Sequence, residues 1–204
     1  MNPIIQEAPE LVKSLQLAYS AEKAAAFAYI GHTASLKTEA ERAPIREIEK
    51  DEWAHRREVK QIMDRYEIPV NRFLELKYHL IGRLIGFSCH VIGRFMPYFF
   101  AGRLESGNVC EYIVMLRHFR ELGITEHDAT LYEMGIKEKA HEVYFQEEIA
   151  EARWLPYFEK IFNWGAKESF NDLDYEAPLP LKDAGKYCDG YKRGTTVKKD
   201  DGRK

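Results

Sequence analysis

Long stretches of the chain place apolar side chains at intervals of three and four between charged ones, the spacing of helices with one buried face. Leu11, Leu15, Ala18, Ala25 and Tyr29 mark such a face on a first predicted helix, residues 9–36. Polar residues 37–42 read as a turn. Pro44 suits the first turn of a second helix that runs to Tyr66, where Glu67-Ile68-Pro69 ends it. A third helix is predicted over 102–122, with Gly123 as its left-handed terminator. Thr125 and Asp128 have the spacing of a capping box that opens a fourth helix, running to Arg153. Leu155-Pro156 stops it, and a shorter apolar helix covers 157–170.

Short turns make each helix pair antiparallel, while the long connection over residues 67–101 can cross the length of a bundle. The pattern therefore predicts an all-α, four-helix bundle with one long apolar crossover and a short C-terminal helix, residues 1–170. Residues 171–204 lose periodicity and read as an irregular, flexible tail. Within the connection, Gly82, Gly86, Gly93 and Pro97 are expected to interrupt any single helix. Arg83 and Arg94 break residues 80–101 into pieces too short to span a bilayer. Two readings of this segment stand: a crossover helix packed on the bundle, or a basic, aromatic stretch lying in a membrane interface.

Charge and cysteine usage narrow the classes. With 33 acidic against 30 basic side chains, the net charge of −3 gives no reason to expect a nucleic-acid partner. Cys89, Cys110 and Cys188 form no CxxC pair, so neither a disulfide framework nor a thiolate zinc site is expected. The opening residues lack the basic start and apolar run of a secretory signal. A cytoplasmic setting follows as the simplest expectation, peripheral on the inner membrane face if residues 80–101 bind lipid.

The chemistry lies in a repeated spacing. Glu52-Trp-Ala-His55 and Glu138-Lys-Ala-His141 each put a carboxylate and an imidazole on one helix face. One such pair means little in so Glu-rich a chain. Here both fall on the second helix of a predicted hairpin, and each first helix offers a carboxylate at a matching offset. Glu22 precedes Glu52 by 30 residues and Glu105 precedes Glu138 by 33, while Tyr29 and Tyr112 each follow the first-helix Glu by seven. Four Glu and two His converging between helices form an oxygen-rich site for two divalent metals, iron or manganese. Glu111 is the alternative to Glu105 on the third helix. The neighbouring acids, Glu142, Glu147 and Glu148 among them, are expected to be solvated. Tyr29 and Tyr112 are candidates to hydrogen-bond a ligand.

These residues resemble the ferritin-like di-iron carboxylate superfamily, and within it the demethoxyubiquinone hydroxylase family most. The likeness is carried by Glu22-Lys-Ala-Ala-Ala-Phe-Ala-Tyr29-Ile-Gly31-His32, the glycine-punctuated apolar connection, Glu105 seven before Tyr112, and Glu138–His141. It departs from that family where His32 replaces a Gln and Glu111 replaces a His. The resemblance implies two iron ions, with Glu52 and Glu138 bridging, Glu22 and Glu105 terminal, and His55 and His141 capping one iron each. It implies a monooxygenase that uses O2 to hydroxylate a small apolar, quinone-like substrate, with electrons from an external donor. The alternative is a rubrerythrin- or ferritin-like ferroxidase or peroxidase that handles iron. Substrate, donor and any homo-oligomeric state are left open.

Overall fold

The computed structural model describes residues 6–162 and 164, and within them every regular element is α-helical. The helices are α1 (Pro9–Ser35), α2 (Glu39–Arg65), α3 (Arg72–Ser88), α4 (Phe95–Glu121), α5 (Asp128–Ile149) and α6 (Leu155–Phe162). Two compact units result. The first holds α1, α2 and α3 with residues 118–127; the second holds residues 98–117 of α4 with α5 and α6. The tail expected over 171–204, and half of the helix expected over 157–170, lie outside the described residues.

In the first unit, α1 and α2 form a hairpin across a three-residue connection. Thr38 sets its second start: its hydroxyl accepts from the Glu41 N–H while the Glu41 carboxylate accepts from the Thr38 N–H. This capping box moves the start of α2 to Glu39, so Pro44 lies inside the helix and not in its first turn. The core of the unit is Leu11, Leu15 and Ala26 from α1 with Ile45, Val59 and Met63 from α2, all fully buried. At the far end Tyr66 donates to Glu126 (2.8 Å), with its hydroxyl 2.8 Å from His127 Nε2. Burial and the Glu126 carboxylate push the Tyr66 phenol up to about 12.

The long connection contains α3, which returns alongside α1. Asn71 caps it, accepting from the N–H groups of Phe73 and Leu74. Gly82 and Gly86 do not interrupt the helix; they are where it meets α1. A Cβ on Gly82 would sit 2.5 Å from the Ala24 carbonyl oxygen, and one on Gly86 would sit 2.8 Å from that of Phe27. A Cβ on Gly31 would strike the backbone of Gly86. The two helices thus touch through their backbones, at a distance only glycine allows. Polar contacts fix the register: Arg56 holds both Glu75 oxygens (3.0 and 2.8 Å), stacks 3.6 Å over the Tyr19 ring, and donates to the Tyr19 carbonyl, while Lys23 Nζ lies 3.2 Å from Glu75. Burial acts to raise the Glu75 carboxyl, but Arg56 and Lys23 outweigh it and hold the group below the usual carboxylate range. The stabilisation from this cluster is therefore present above the ordinary carboxylate pKa and lost as pH falls through the lowered one.

The opposite face of α3 is apolar and exposed: Phe73, Leu76, Leu80, Leu84 and Phe87, continued by Val91, stand 59–74% accessible. No helix among the described residues is long and apolar enough to cross a membrane.

In the second unit α4 packs on α5. The helix of α4 starts at Phe95, seven residues before the expected Gly102, because Pro97 falls in its first turn, where a missing N–H costs nothing. Gly123 has the left-handed conformation expected, at φ +73°. Thr125 stands three residues ahead of α5 and so is not its cap, and α5 ends at Ile149, short of Arg153. Leu155-Pro156 opens α6 instead of merely stopping its predecessor. The Trp164 ring fills the space over Gly102 and meets Phe99 edge-on at 5.1 Å. Cys89 is a free, buried thiol.

Gly31→Ala should lower unfolding free energy by about 2–3 kcal/mol, since the added methyl must separate two backbones. Gly135→Ala, whose Cβ would meet its neighbours at an ordinary 3.5 Å or more, should raise it by about 0.5–1 kcal/mol. Urea titrations of both variants check this, and a Gly31→Ala midpoint equal to wild type would refute the backbone contact.

Candidate metal centre

Each ligand-bearing helix buries one seam at heptad-like spacing, and the polar residues stand inside it. On α2 the seam reads Ile45, Ile48, Glu52, His55, Val59, Ile62; on α5 it reads Leu131, Met134, Glu138, His141, Phe145, Ile149. On α1 Glu22 lies between Ala18 and Tyr29, and on α4 Glu105 lies between Ala101 and Val109. The six side chains are at most 5% exposed. Apolar neighbours above and below in each seam carry the helix packing, so the carboxylates and imidazoles are buried by force of their position.

In the first unit, Glu22, Glu52 and His55 each present one donor atom, and these atoms all lie within 4.8 Å of one another. In the second, Glu105, Glu138 and His141 do the same. His141 Nδ1 is 3.9 Å from Glu138 Oε2. Glu111 is only part-buried and belongs to neither donor group; Glu105 is the α4 carboxylate that faces Glu138. Tyr29 and Tyr112 are buried in the cores of their units, at 4% and 1% exposure. Of the other histidines, His32 is buried on α1, and burial with the nearby Arg94 charge lowers it to about 4, which keeps its imidazole neutral.

Two contacts of the second unit were not read from the sequence. Asn108, one turn beyond Glu105, donates from Nδ2 to Glu105 Oε2 at 2.9 Å and to Glu138 Oε2 at 3.3 Å. Its only sequence signal is the i, i+3 spacing from Glu105. Glu142, expected to be solvated, is instead fully buried. Its Oε2 lies 2.8 Å from Lys139 Nζ, and its Oε1 accepts from Trp164 Nε1 at 2.8 Å and Gln146 Nε2 at 3.4 Å. The expectation failed because a buried Lys at i−3 and a distant indole supply the partners that solvent supplies elsewhere.

Two carboxylates and an imidazole, buried within 4.8 Å of one another, are a poor resting arrangement for like charges and a good one for a cation. Among the described residues no cysteine joins either set, so the donors are oxygen and nitrogen only. That chemistry fits iron, manganese or another divalent ion in preference to a structural thiolate zinc. The chain matches no family model, no curated protein and no solved structure.

Ferrous iron or manganese(II) at about a hundredfold excess over Kd should raise the melting temperature by about 5–10 °C. His55→Ala and His141→Ala should each abolish most of that rise, while Glu111→Ala keeps it. Anaerobic thermal melts with metal analysis of the desalted protein test this; an unchanged wild-type melting temperature, with no retained metal, would eliminate the site.

Proposed function

We propose that the chain is a non-haem di-iron monooxygenase of the ferritin-like carboxylate kind, hydroxylating a small apolar, quinone-like substrate with O2 and electrons from an external donor. The observation that carries this reading is that each unit buries the same donor set, two carboxylates and an imidazole within 4.8 Å of one another. Glu22, Glu52 and His55 in one unit, and Glu105, Glu138 and His141 in the other, would each hold one metal ion, the ligand set of a di-iron carboxylate centre. When bound, such a pair of irons supplies O2 activation. The protein's own part is to hold the six donors in fixed seams and to surround them with apolar side chains that exclude water.

The exposed stripe of α3 supports an apolar substrate. A row of exposed Leu and Phe beside Arg72, Lys77 and Arg83 suits an anionic membrane surface, from which a quinone-like molecule could be drawn. A storage or ferroxidase protein has no use for such a face, which favours the oxygenase over iron handling.

The iron-loaded protein should consume O2 in the presence of a short-chain quinol and a reductant, and the product should carry one added oxygen atom from 18O2. His55→Ala and His141→Ala should lower this rate at least a hundredfold. Oxidation of many ferrous ions per chain into a mineral core, with no oxygenated product, would turn the reading to iron handling. In a separate flotation assay, vesicles containing phosphatidylglycerol should bind the wild-type protein at low salt, and Leu80→Glu with Leu84→Glu should release it. Wild-type protein that stays wholly in solution would end the membrane reading.

A further inference from the structure

We propose that Asn108 is a positioning residue that fixes which oxygens of Glu105 and Glu138 are presented to a bound metal, an inference that rests on the metal-centre reading above. Glu105 and Asn108 share one face of α4, and Glu138 reaches the same point from α5. A single amide nitrogen spans the two carboxylates, at 2.9 Å to Glu105 Oε2 and 3.3 Å to Glu138 Oε2. The two N–H groups of one Asn suit this task, because each can point to a different acceptor.

The choice of side chain is chemically informative. Two buried carboxylates at close range need positive charge or donated protons nearby. A Lys or Arg at this place would supply full charge, and so would compete with a divalent ion for the same oxygens. A neutral amide relieves part of the repulsion and leaves the net charge of the donor set available to the metal. It also breaks the symmetry of each carboxylate. An oxygen that accepts an N–H bond is a weaker ligand than one that does not, so the amide would make the Oε2 atoms of Glu105 and Glu138 the poorer ligands. Hydrogen bonds of this kind to ligating side chains change metal affinity by about 10–100-fold.

The test uses the full-length chain and manganese(II), whose EPR spectrum reports both free ion and the symmetry of the bound one. Wild type, Asn108→Ala and Asn108→Gln are titrated in parallel, with thermal melts of the metal-free proteins. Asn108→Ala should weaken at least one bound manganese by about 10–100-fold and broaden the bound-ion spectrum, with a metal-free melt close to wild type. Asn108→Gln, which keeps the amide donor, should recover part of both. Wild-type affinity and line shape in Asn108→Ala would overturn the proposal. So would a loss of affinity that tracks a lowered metal-free melt in both variants, since that marks a packing role. Failure of the wild type itself to bind manganese or iron would instead remove the metal centre, and this proposal with it.

Discussion

Burying carboxylates is the constraint around which the rest of the chain is arranged. Each unit places two carboxylates and an imidazole within 4.8 Å of one another at almost no solvent exposure, where unpaired charge is costly. Position within the seam enforces that burial. Leaving it would pull Ile48 and Val59, or Met134 and Phe145, out of the core with the polar groups. Within each unit, the apolar packing of its seam thus holds together donors that would separate in water. The buried Lys139–Glu142 pair obeys the same rule by another route: its charges are matched within the protein, and the Trp164 and Gln146 donors occupy the remaining carboxylate oxygen.

What the sequence reading captured follows from this arrangement. Helical periodicity located α1, α2 and α5 to within a few residues, because their apolar seams are regular. The Glu-x-x-His pairs stood out because a polar pair replaced two successive seam positions on each of two helices. The reading failed where a residue's role depends on a neighbour distant in sequence. Gly82 and Gly86 look like breaks until the backbone of α1 is set against them. Glu142 looks solvated until Lys139 and Trp164 surround it. Asn108 carries no pattern at all without Glu138 beside it. The early start of α4 is a different case, in which proline was weighed as a breaker although its place in a first turn made it harmless.

The α1–α3 contact also distributes work between the faces of α1. Glu22 and Tyr29 on this helix are buried among the packed side chains of its unit, while Ala24, Phe27 and Gly31 offer backbone to α3. Arg56 ties the three helices at one level, through Glu75 on α3 and the carbonyl of Tyr19 on α1. A carboxylate on α1 is thereby supported by a helix that contributes no donor of its own to either set.

The glycine seam turns α3 inside out. Its closest approach to α1 is made by glycines, with Glu75 and His79 as the side chains beside them, and its large apolar groups stand on the outer face. In most amphipathic helices the residues that hold the helix in place are also its hydrophobic ones, so a surface and a fold cannot be altered separately. Here they are different residues. The outer row can be exchanged for charge, lengthened or re-spaced while the anchoring row of glycines is untouched, so whatever this face recognises can change in evolution, or at the bench, without renegotiating the fold.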